Sequence, residues 1–127
     1  MRVLLDTCSL LYWTLDQERL SRKARQLIMN SETIAISSIS IWEIGIKTKR
    51  NKLVLPLSFK DYVTGLQSVR DFIIIPVDAH IWIKNISLEW EHNDPADRTI
   101  IATALLNDVK LVTSDKVMLD FYPGAVW

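Results

Sequence analysis

The chain reads as an α/β fold, a mainly parallel sheet of four to five strands with helices on both faces. Three observations predict this. Short runs rich in Val, Leu and Ile recur as near-continuous apolar stretches, the pattern of strands buried on both faces. Segments with helical period and capping residues separate these runs, and a strand-helix-strand succession implies right-handed crossovers. Four acidic residues stand where apolar runs give way to a helix or turn. Asp6 closes Val3-Leu4-Leu5, Glu43 follows Ile34-Ala35-Ile36 and a serine-rich bend, Asp97 opens the run from Thr99 to Leu106, and Asp115 follows Leu111-Val112-Thr113.

The elements follow in order. Arg2 to Leu5 is a buried strand, and Leu20 to Met29 is an amphipathic helix capped by Ser21, with Leu20, Ala24, Leu27 and Ile28 on one face. Thr33 to Ser37 is a second strand and Ile39 to Arg50 a helix, with Asn51 as a left-handed C-cap before the break at Pro56. Ser58 caps a helix to about Val69, Phe72 to Val77 is a strand, and Asp78 caps a helix to about Trp90. After Glu91-His92-Asn93, Pro95 takes the first helical position behind an Asp94 cap. Lys110 to Thr113 is the fourth strand, and Ala125 to Trp127 a short edge strand.

Composition narrows the function classes. With 127 residues and 49% hydrophobic content, residues 1–127 suit one domain with one sizeable core. Fifteen Lys and Arg balance fifteen Asp and Glu, so nucleic acid would have to be held by local charge rather than bulk charge. Cys8 is the lone cysteine, which leaves neither a disulfide framework nor a Cys-rich zinc site and suits a reducing cytoplasm. No apolar segment reaches the roughly 18 to 20 residues of a membrane span. The three glycines, Gly45, Gly65 and Gly124, make no phosphate-binding loop.

Ligands of open α/β sheets bind at the carboxyl edge of the strands, so Asp6, Glu43, Asp97 and Asp115 would meet there. Such a cluster repels itself unless a cation is held, and hard oxygen donors favour Mg²⁺ or Mn²⁺. Each acid has a plainer account. Ser40-Ile41-Trp42-Glu43 matches a capping box, Asp94-Pro95-Ala96-Asp97 is a helix N-terminus, and Asp115 suits a turn or cap. Taken singly, capping is the better account of these three. Asp6, abutting an apolar strand, needs partners, and the fourfold repetition at one edge favours a site.

Several stretches together resemble a family. Leu4-Leu5-Asp6-Thr7 with Leu10-Leu11-Tyr12-Trp13, then Ile36-Ser37-Ser38-Ile39-Ser40-Ile41-Trp42-Glu43-Ile44, then Asp94-Pro95-Ala96-Asp97-Arg98, and finally Leu111-Val112-Thr113-Ser114-Asp115 resemble PIN-domain ribonucleases of the VapC toxin type. The resemblance spans essentially the whole chain. It implies a PIN-like three-layer sandwich, Mg²⁺- or Mn²⁺-dependent endoribonuclease activity on RNA, and neutralisation by a cognate antitoxin. Its acidic set carries over as Asp6, Glu43, Asp97 and Asp115, with Asp94 as a cap supporting the site. Cys8, and Asn51 where Gly often follows the Trp-Glu helix, depart from the family pattern.

Lys47, Lys49, Arg50 and Lys52 are either a solvated helix end or a track for an RNA backbone, and Arg98 is the better single phosphate contact. Tyr12 and Trp13 are expected to anchor the antitoxin, and a homodimer is expected. Trp42 reads as core, and His80 and His92 as ordinary residues. Haloacid-dehalogenase-like phosphatases also place an Asp after the first strand, but want a second two residues on, where Cys8 stands. A receiver-like module would pair acids after strand one, whereas only Asp6 is there. A non-catalytic interaction domain would not need all four acids.

Overall fold

In the computed structural model, which describes residues 1–127, strand β1 (Arg2–Leu5) is central. On one side it pairs with β2 (Thr33–Ser37), which pairs in turn with β3 (Phe72–Ile75). On the other side it pairs with β4 (Lys110–Val112), followed by β5 (Ala125–Val126). All four pairings are parallel and the order is β3-β2-β1-β4-β5, so β1 flanks the point where strand order reverses.

Side chains alternate through the sheet and build two cores. Val3, Leu5, Ile36 and Val112 face one way, under helices α1 (Thr7–Leu15), α2 (Arg22–Met29), α3 (Ser38–Lys49) and α4 (Phe59–Gln67). Leu4, Ala35 and Leu111 face the other, under α6 (Pro95–Asn107) and α7 (Lys116–Phe121), with α5 (Ala79–Ser87) packed on α6. This is the expected three-layer sandwich. Leu4, Leu5, Leu111 and Val112 are fully buried, and truncating such a leucine to alanine typically costs about 2–5 kcal/mol.

The caps at Ser21, Ser58, Asp78 and Asp94 hold, each accepting an amide of its helix's first turn. Asn51 is left-handed at φ 57°. Gly45 is required by close approach, because a Cβ there would meet the Phe59 ring at 2.8 Å. The sequence did not announce α1 or α7. It also overran α5, which stops at Ser87 because Arg98 takes the carbonyls of Asn85 and Leu88 that a longer helix would use. Trp42 is a correction as well, being 59% exposed on α3, whose buried line runs through Ser40 and Ile44 instead.

Candidate active site

Because β1, β2 and β4 run parallel, their carboxyl ends share one edge. Helix α6 ends just before β4 begins, which sets its first turn at that same edge. The edge therefore carries Asp6 after β1, Glu43 on α3, Asp97 in the first turn of α6 and Asp115 after β4. They form a loose group, since no three His, Cys, Asp or Glu side chains close into a preformed metal cage. Asp115 raises the pKa of both Asp6 and Asp97 through space, and Cys8 senses Asp6, Glu43 and Asp97.

Asp6 is 5% exposed and caps α1, with Oδ1 accepting the Ser9 amide at 2.8 Å and Oδ2 the Thr113 hydroxyl at 2.6 Å. Burial pushes its carboxyl up, while Thr113 and Ser9 pull it down. The Ser9 hydroxyl is itself buried without a hydrogen-bond partner. Glu43 accepts from the Thr7 hydroxyl at 2.5 Å and lies 3.4 Å from the Lys47 ammonium. The capping account of Glu43 fails. Ser37 caps α3 through the Ile39 amide, so Glu43 lies past the first turn.

Asp115 does cap its helix, accepting the Val117 amide at 2.9 Å. At α6 the cap is Asp94, which accepts the Asp97 amide at 2.9 Å. The reciprocal half of the box is absent. Oδ2 of Asp97 instead meets His92 Nε2 at 2.7 Å, and Oδ1 has no protein partner. Burial first, then Asp94 and Asp115, raises Asp97 to about 6 against the opposing His92 bond. His92, which read as ordinary, is therefore part of this corner. A His five residues before a helical Asp gives no signal unless the loop between them is known to fold back.

Arg98, expected to contact phosphate, is turned onto the loop that precedes α6. Its guanidinium donates to Asn85 Oδ1 and to the carbonyls of Asn85, Leu88, Trp90 and His92 at 2.6–3.4 Å, so every N–H is committed. Lys47 is partly tied to Glu43, and Lys49 is exposed. Tyr12 and Trp13, expected to anchor the antitoxin, are partly buried in contacts within the chain. Tyr12 packs on Trp127 and Trp13 stacks on Phe72, although Trp13 also lines a cleft between α1 and α4.

The PIN-domain family model matches residues 3–122. The chain belongs to the PIN-domain family. Ribonuclease VapC22 of Mycobacterium tuberculosis is 31% identical over 115 residues, covering 90% of this PIN domain and 87% of that protein. A toxin-antitoxin complex from Klebsiella pneumoniae superposes with a TM-score of 0.69 at 25% identity, covering 98% of this chain and 96% of that one. FitAcB from Neisseria gonorrhoeae superposes at 0.68 with 21% identity, with the same coverage of each chain, and bears on the fold alone.

Proposed function

We propose that this PIN domain is an Mg²⁺- or Mn²⁺-dependent endoribonuclease and the toxin of a toxin-antitoxin pair, working in the cytoplasm as one domain over residues 1–127. The observation that carries this reading is the placement of Asp6, Glu43, Asp97 and Asp115 at the carboxyl edge beside the strand-order reversal. The kinship with Ribonuclease VapC22 supports the choice of RNA. No helix is long and apolar enough to cross a membrane.

The donor set suits such an ion. Mg²⁺ usually binds through one or two carboxylates, keeping several waters and taking the rest of its shell from substrate phosphate, so a loose carboxylate group serves it better than a closed cage. Asp6, desolvated and pushed toward its neutral form, and Asp97, with one oxygen unpartnered, are the groups that gain most from a cation. Asp6, Glu43, Asp97 and Asp115 would hold the ion, which supplies a water activated for in-line attack and charge neutralisation on the phosphodiester. Thr113 and Ser9 fix the Asp6 carboxylate, Thr7 fixes Glu43, and Asp115 ties the end of β4 to α7. Lys47 balances Glu43 and, with Lys49, offers positive charge to an incoming RNA backbone.

The antitoxin fits apolar clefts on the helical face built by α1, α3 and α4. One, of about 690 Å³, runs between α3 and residues 51–59, past Ile46, Leu53, Leu55 and Phe59. A second, of about 410 Å³, lies between α1 and α4 past Trp13, Tyr62 and Leu66, and Leu57 lines both. A continuous apolar track suits an amphipathic segment of a partner protein. The exposed α5 residues Trp82, Ile83 and Ile86 suit a homodimer contact.

Purified protein incubated with a mixed RNA pool in Mg²⁺ or Mn²⁺ is expected to cleave it. Chelator should abolish cleavage, and Asp6→Asn should reduce it by at least about a hundredfold, the scale of losing one electrostatic group in an active site. Cleavage that survives chelation or persists undiminished in Asp6→Asn sinks the mechanism.

A further inference from the structure

We propose that His92 is a positioning residue that sets the Asp97 carboxylate for metal binding, an inference resting on the metal-site reading above. Once Asp97 is ionised, as it must be to hold a cation, its carboxylate only accepts, so His92 Nε2 then carries the proton in this 2.7 Å bond and occupies Oδ2. One oxygen is held by the protein. The other, Oδ1, is left for a cation.

The surroundings are built to keep the imidazole still. Its ring packs on Trp90 with centroids 4.8 Å apart, and Trp90 stacks on Phe121 of α7 at 4.5 Å and an interplanar angle of 13°. The backbone is held from the other side, because Arg98 Nη1 donates to the carbonyls of both Trp90 and His92. Arg98 and Asp97 are neighbours on α6, so the same helical turn that presents the carboxylate also fixes the loop that steers it. Both the His92 and Asp97 side chains are about three-quarters buried, at 27% and 22% exposed, which limits water as a substitute donor. Hydrogen bonds to metal-binding carboxylates commonly change metal affinity by 10- to 100-fold.

Three variants separate the donor from the ring. His92→Phe keeps an aromatic on Trp90 and removes the donor, His92→Gln keeps a donor of similar reach, and His92→Asn is too short to reach. Mn²⁺ affinity is read by titration calorimetry without RNA, alongside melting temperature in chelator and the separate kcat and KM for a cleaved RNA. The expected result is a 10- to 100-fold weaker Mn²⁺ affinity in His92→Phe and His92→Asn, recovery to within a few-fold in His92→Gln, and a loss that falls on kcat at fixed metal with KM for RNA little changed. Wild-type Mn²⁺ affinity in His92→Phe, or His92→Gln no better than His92→Asn, overturns the positioning role while leaving the metal site standing. Should His92→Phe fail to fold, the Gln and Asn pair decides alone. A wild type that binds no Mn²⁺ overturns the metal-site reading and this inference with it.

Discussion

Asp6 and Asp97 carry the same group at the same sheet edge, yet the chain holds them in opposite ways. Asp6 sits at the end of the central strand, both oxygens bonded to an amide and a hydroxyl of the core framework, and it also starts a helix. Asp97 starts nothing, since Asp94 does the capping, and a loop histidine steers one of its oxygens. A carboxylate at a strand end can be woven into the fold or kept apart from it. The first is rigid and costly to remove, whereas the second is free to respond to a ligand.

The largest expected contrast is in pH dependence. Asp97 is raised from 3.8 to about 6 in the folded protein, so the fold favours its neutral form. That stability is fully present below about pH 4 and is lost as pH rises through 6. The shift corresponds to at most about 3 kcal/mol, discounted because Asp97 retains some solvent. In chelator, wild type is therefore expected to lose melting temperature between pH 4 and 7, and Asp97→Asn to lose less and to be the more stable protein at pH 7. Parallel curves for the two proteins would show that Asp97 is not held apart.

Arg98→Lys comes next. Losing the planar fork leaves loop carbonyls unpaired, at a cost of about 1–3 kcal/mol on thermal unfolding, with KM for RNA unchanged. Unchanged stability with a raised KM would return Arg98 to the role of phosphate contact. The smallest contrast is between Asn and Ala at position 6. Asn still caps α1 and Ala does not, so Asp6→Ala should be about 0.5–2 kcal/mol less stable than Asp6→Asn in chelator. At position 97 the Asn and Ala variants should lie closer together. Equal stability of the two variants at position 6 would mean that Asp6 is no more built into the fold than Asp97.

The strands were legible because β1 to β4 are short apolar runs ending at or shortly before capping residues, although Pro76, Val77 and Thr113 fall outside the paired stretches. Helix α1 was missed because Leu10, Leu11, Tyr12 and Trp13 are consecutive and pack against the sheet, α4 and each other, so no polar stripe marks a period. Helix α7, six residues long, is too brief to show one. On α3, Ile39, Ile41, Trp42, Ile44 and Ile46 are apolar nearly all round, so the sequence could not say that Trp42 faces out. The acids were legible as positions. The duties of His92 and Arg98 were not, because they are set by a loop folding back on α6, which is a tertiary event.

The central place of β1 has a consequence for when the protein becomes active. Strand β1 is made first, but its partner β4 and the Thr113 bond to Asp6 lie 107 residues further along the chain. A nascent chain ending before β4 leaves β1 as an exposed strand edge and Asp6 short of its hydroxyl donor, and contacts this distant in sequence form late. The group of acids at this edge is thus complete only once the chain has been made through Asp115 and β4 has docked on β1.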